Sequence, residues 1–192
     1  MKQVSRVILV LATVLLVFGC QNQSTTPLPK GYIRIGLPEP NVTALNRDEL
    51  PYRFLHNQSA RWEPHPQGGW GDLVYPRLGA RIEFTYLPVE GNLFQLVDDA
   101  FELAFKHSVV ADGIERTEYH NDSSRVHGLM FMISGNAASA TQWIATDSTG
   151  HFLRAASSVF ATPNKDSLAP VNDFLRAEMR LMMESLTWRD AK

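Results

Sequence analysis

VHGLMFMISGNAASATQWIATDSTGHFLRAASSVF, residues 126–160, decides the fold. The spacing predicts three consecutive strands joined by two tight turns. Gly135-Asn136 separates the first two apolar runs. Asp147-Ser148-Thr149-Gly150 suits a type I turn with its glycine in the left-handed position. Within the first run, Val126, Gly128, Met130 and Met132 form one alternating set, while Leu129, Phe131 and Ile133 dominate the other. A strand apolar on both faces belongs inside a covered sheet.

The segments that would cover it flank it on both sides. Residues 92–106, NLFQLVDDAFELAFK, place Leu93, Leu96, Val97, Ala100, Leu103 and Ala104 at helical spacing, widened by Phe94, Phe101 and Phe105. Asn92 is the expected N-cap, and Gln95, Asp98, Asp99 and Glu102 mark the wet face. So wide an apolar arc predicts a helix pressed onto a sheet. After Phe160 a polar loop leads to a second helix, with Ser167 as expected cap and Pro170 in its first turn. Val171, Leu175, Met179, Met182 and Leu186 share one face of it, and Trp188 is placed to fasten its end.

Upstream, residues 32–37 (YIRIGL) alternate as a strand closed by Pro38 and Pro40. Tyr52-Arg53-Phe54 reads as a short strand and residues 62–69 as a Pro/Gly loop. Residues 72–75 and 81–87 predict an antiparallel pair, with Ile82, Phe84 and Tyr86 inward. Another strand is expected near residues 114–119. Strands, a helix, about four strands and a helix, without strict alternation, make an α+β fold. It is a mostly antiparallel sheet covered by two main helices.

The amino-terminal residues carry an address. Lys2 and Arg6 precede an apolar run over residues 7–18, of signal-peptide length and short for a membrane span, which needs about 20 residues. The run ends in Val17-Phe18-Gly19-Cys20, which holds the sole cysteine. This pattern resembles a bacterial lipobox, whose cysteine becomes the lipidated (palmitate-bearing) first residue; Phe18 stands where a small residue is usual. The organisation expected is a signal peptide over 1–19, a lipidated Cys20 with a Pro-punctuated tether over 20–31, and one globular domain over 32–192. With one thiol the chain forms no internal disulfide, so the domain depends on a packed core. Without Lys2 and Arg6 it holds 16 basic and 20 acidic residues and no Lys/Arg cluster, which argues against a nucleic-acid partner.

The chemistry-bearing residues form no recognised motif. His120 and His127 stand seven apart with Asp122 between, and His107 lies upstream, but zinc sites show closer pairs or helical spacing. No metal or cofactor is expected. Ser139, Asp147 and His151 supply the residue types of a hydrolase triad, without the Gly-x-Ser-x-Gly motif. Asp147 has a simpler role in capping its own turn. Asp98, Asp99 and Glu102 are neighbours on a polar helix face, unlike the facing carboxylates of a glycosidase. No catalytic residue is assigned. Trp62 and Trp70, in or beside the Pro/Gly loop, are the expected surface aromatics, and with His107, His151 and Arg154 they make up the candidate interaction surface.

Six short blocks carry a resemblance. They are Lys106-His107, residues 111–115 (ADGIE), 134–139 (SGNAAS), 146–149 (TDST), 151–154 (HFLR) and 163–168 (PNKDSL), joined by Lys30-Gly31-Tyr32 and Tyr52-Arg53-Phe54. In this order they resemble the gliding motility lipoprotein GldD family of the Bacteroidota, over residues 30–188. The resemblance implies a protein needed for surface gliding and linked to type IX secretion, with protein components of that machinery as partners. It implies no catalytic or metal residues. The outline of the sheet and its two helices is also similar to the PsbP/Mog1-like α/β/α sandwich.

By the same resemblance, Gln21-Asn22-Gln23-Ser24 lacks an acidic surface-export run, which implies a periplasm-facing anchor, the outer membrane ahead of the inner. Asp147-Ser148-Thr149 and Asp166-Ser167-Leu168 resemble O-glycan sites of these bacteria, but two capped turns are the preferred reading of them. Two other functions stay open at this point: a periplasmic cell-envelope hydrolase, and a lipoprotein binding a small ligand in an aromatic cavity.

Overall fold

The computed structural model describes residues 35–106 and 111–189. Its strands are β1 (Val42–Leu45), β2 (Tyr52–Asn57), β3 (Arg61–Pro64), β4 (Gly71–Tyr75), β5 (Ala80–Pro88), β6 (Ala111–Asn121), β7 (Val126–Gly135), β8 (Thr141–Thr146), β9 (His151–Val159) and β10 (Thr187–Trp188). The helices are α1 (Leu93–Phe105) and α2 (Lys165–Ser185). Seven strands form one sheet in the order β3-β4-β5-β9-β8-β7-β6, and a smaller sheet runs β1-β2-β10. Every pairing is antiparallel. This is the α+β architecture expected.

The three strands of residues 126–160 form as read, their turns do not, and the chain before and after closes around them. β5 pairs with β9 along nine residues, from Ala80↔Val159 to Pro88↔His151, which joins the early strands to the late ones. Adjacent side chains of β8 point to opposite faces, as strand geometry requires. Trp143 and Ala145 enter one core with Tyr52, Phe54, Phe84, Leu175 and Met179, while Ile144 enters another with Ala100 and Phe152. The first core lies under α2 and the small sheet, the second under α1. The helices therefore cover opposite faces.

Several local expectations change. Residues 35–37 are not a strand; Ile35 instead packs half-buried on the main core. The first described strand is β1, in a region that reads as irregular because only Leu45 of its four residues is buried. Trp62, expected in an exposed loop, lies in β3 and is 8% exposed. Its indole packs on Phe84 and over Gly71, where a Cβ would collide with the ring. The Gly135-Asn136 turn is a longer loop over residues 136–140, and Ser148 rather than Gly150 takes the left-handed conformation (φ 67°). α2 is capped by Asn164, whose side chain accepts from the amides of Asp166 and Ser167, so Ser167 and Pro170 lie inside the helix. Asn92 flanks α1 without capping it; its Oδ1 accepts from the Glu90 amide behind it.

Candidate interaction surface

Of the five residues expected to form one surface, the four that are described are not gathered into one patch. Trp62 belongs to the core. Trp70 is half-buried, its Nε1 donating to the Tyr86 carbonyl at 2.6 Å. The Tyr86 hydroxyl lies 2.8 Å from His151 Nδ1, and the imidazole stacks on Trp188 with ring centres 5.1 Å apart and planes 5° off parallel. The Trp188 Nε1 donates to the Arg125 carbonyl. So Trp70 and His151 meet, through Tyr86, in an aromatic corner at the ends of β5 and β9. The sequence reading missed Tyr86 and Trp188 as members, although the Pro88↔His151 end of the β5–β9 ladder sets both β5 and His151 there. Burial, then the charge of Asp147, raises the Tyr86 hydroxyl pKa.

Arg154 stands three residues along β9 from His151 and therefore on the opposite face. It donates to Gln142 Oε1 at 2.6 Å, and burial lowers its pKa against the pull of Glu83. It belongs to the part of the α1 face that the helix leaves open, with Arg81, Glu83 and Ser158, none of them fully buried. On that floor Asp72 is almost wholly buried, paired to Arg81 at 2.9 Å and to His65 at 3.3 Å. His107 lies outside the described residues.

A groove of about 560 Å³ runs between residues 36–39, 57–59 and 75–78. Behind it Glu178, 8% exposed, accepts from the Tyr75 hydroxyl at 2.9 Å and from the Asn57 amide at 2.8 Å, both on Oε2. Burial raises the Tyr75 pKa, and the Glu178 charge adds to this. Burial lowers His56, against its bond to the Asn57 carbonyl and the Glu178 charge. This is a buried histidine–carboxylate grouping, but the groove is walled by Asn57 and Tyr75 rather than by Glu178. The carboxylate ties α2 to β2 and β4.

The remaining catalytic arrangements come apart. Ser139 precedes β8 and donates to the Thr141 carbonyl, whereas Asp147 follows β8. The strand between them spans about 17 Å. Asp147 Oδ1 accepts from the amides of Thr149, Gly150 and His151, and Oδ2 from the Thr149 hydroxyl. Burial alone would raise this carboxyl, but those four donors together hold it far below the usual range. Asp98, Asp99 and Glu102 are exposed on α1. Among the described residues no group of three or more His, Cys, Asp or Glu gathers to hold a metal ion. None of the described helices is long and apolar enough to cross a membrane.

No curated protein matches the chain. Among solved structures, that of cyanobacterial PsbP (CyanoP) from Synechocystis sp. PCC 6803 is similar at 11% identity with a TM-score of 0.47, covering 83% of this chain and 99% of that one. The family described as Gliding motility lipoprotein GldD matches residues 22–188, which take in all the strands and helices above. The chain belongs to the gliding motility lipoprotein GldD family.

Proposed function

We propose that this lipoprotein supports gliding motility and type IX secretion without catalysing a reaction, by protein contacts that assemble or stabilise the machinery of a Bacteroidota cell envelope. Family membership across residues 22–188 carries the reading. Residues 1–19 serve as its signal peptide, Cys20 carries the lipid, residues 20–31 tether the domain, and residues 32–192 form that domain. The domain faces the periplasm from the outer membrane. Two features support a non-enzymatic role: the Asp147 carboxylate is spent on its own turn, and Glu178 on joining α2 to β2 and β4. The aromatic corner at Trp70, Tyr86 and His151 is the contact surface we favour.

Deleting the gene is expected to abolish colony spreading and the export of type IX substrates, and Cys20→Ala to move the protein out of the membrane fraction. A deletion strain that spreads and secretes normally overturns the proposal. Tyr86→Ala, measured by spreading after circular dichroism confirms folding, tests the contact surface on its own.

A further inference from the structure

His120 and His127, seven apart in sequence, are brought face to face. The β6–β7 hairpin pairs Asn121 with Val126, and the next rung pairs His120 with His127. The turn between them is fixed by Asn121, whose Oδ1 accepts from the Ser123 hydroxyl and the Ser124 amide, and by Arg125 in the left-handed conformation (φ 53°). Side chains on one rung share a face, so the two imidazoles stand together on the α1 side of the sheet, in line with Leu129.

We infer that the His120–His127 rung is a surface site for a divalent transition metal of the Zn²⁺ type, with both Nδ1 atoms as ligands. Their separation is 3.4 Å. Two nitrogens each about 2.0–2.1 Å from a tetrahedral Zn²⁺ stand about 3.3–3.4 Å apart, so the pair already spans one edge of that tetrahedron. Neutral imidazole suits this class of metal. Both rings need Nδ1 free of its proton, and His120 has a reason to keep its proton on Nε2. The Glu118 carboxylate lies 3.6 Å behind that nitrogen, at ion-pair distance. A carboxylate behind the second nitrogen is the usual partner of a metal-bound histidine, fixing the tautomer and the ring orientation. The protein supplies two ligands here, so water fills the other positions; the His120 side chain is 62% exposed, which leaves room for it. A bound ion would clamp the turn end of the β6–β7 ribbon.

The test uses the full-length lipoprotein in detergent, titrated with ZnCl2 by calorimetry at pH 7.5 in a non-chelating buffer. One equivalent is expected to bind. His120→Ala and His127→Ala should each lose that equivalent, circular dichroism showing that both remain folded. Glu118→Gln should weaken binding about 10-fold or more. No binding by the unmodified protein overturns the site. So does an equivalent that persists in either histidine variant.

Discussion

The two faces of the seven-stranded sheet are built to different standards. Under α2, Tyr52, Phe54, Ile82, Phe84, Trp143, Leu153, Leu175, Met179 and Met182 are all essentially sealed from water. Under α1 the buried side chains described are fewer and mostly smaller: Ala100, Ile144 and Phe152 form the cluster, with Ala104 and Phe131 beside it, ringed by half-buried side chains. There Phe94 is 86% exposed, Phe105 41% and Leu103 39%. Both helices have an apolar arc, yet the only fully buried side chains of α1 are Ala100 and Ala104, which contribute little area, while its larger contact, Phe101 edge-on to Phe131 at 5.1 Å, stays half-exposed. Stability is therefore concentrated on one face, and the other tolerates exposed aromatics and charge.

The sharpest way to break this contrast uses neighbouring residues of β8. Trp143 points into the α2 core and is 0% exposed, while Ile144 points into the α1 cluster and is 7% exposed. Trp143→Ala should lose about 3–5 kcal/mol, near the whole stability of a marginal domain. Ile144→Ala should lose about 2 kcal/mol, since the thin cover can settle into the space. Urea unfolding of both variants measures the gap. Equal losses would mean that the faces are equally packed.

Next in size is the polar tie across the α2 face. Glu178→Ala leaves the Tyr75 hydroxyl and the Asn57 amide without their acceptor, and about 3 kcal/mol should be lost. The same cluster gives a pH signature. Burial lowers the His56 pKa in the folded protein, so the unfolded chain takes the proton first as the solution acidifies. His56 contributes its full stability above about pH 6.5 and loses it as the pH falls from there through the folded value. His56→Leu should flatten the stability curve between pH 7 and pH 5; an unchanged slope would assign it to other groups.

Smaller again is the turn shared by both faces. Asp147→Ala should cost about 1–2 kcal/mol, because water can replace part of what the carboxylate gives the Thr149, Gly150 and His151 amides. The sign with acid is opposite in cause but the same in direction. A carboxyl held below its usual value contributes above about pH 4 and is lost on further acidification. The variant and the parent should therefore melt closer together at pH 3 than at pH 7.

Much of the well-packed face was legible in residue order. Alternation in β5 and the Leu175–Met179–Met182 stripe of α2 each declare which side is inward, because the inward side chains there are buried. The caps were harder. Asn164 and Ser167 are both good capping residues three apart, and only the docking of the helix start, where Asn136 Oδ1 accepts from the Lys165 amide, selects Asn164. The candidate surface was least legible. Trp62 was drawn inward by the space above Gly71, and strand alternation put His151 and Arg154 on opposite faces. The His120–His127 rung did have a signal: a hairpin centred on residues 123–124 pairs them by symmetry alone.

The smallest expected effect is the most telling about α1. Phe94 is the second residue of the helix and is almost fully exposed, so replacing it with serine removes little apolar area from any contact. Serine and phenylalanine have similar helix propensities, so the backbone has little stake in the exchange. Phe94→Ser should stay within about 0.5 kcal/mol of the parent. Ala100→Leu, on the buried side of the same helix, should lose about 1–3 kcal/mol because its 3% exposure leaves no room for three more carbons. If the large change at Phe94 were felt more than the addition at Ala100, α1 would be held by its aromatic flank rather than by its alanines, and the difference between the two faces would be one of residue size and not of packing.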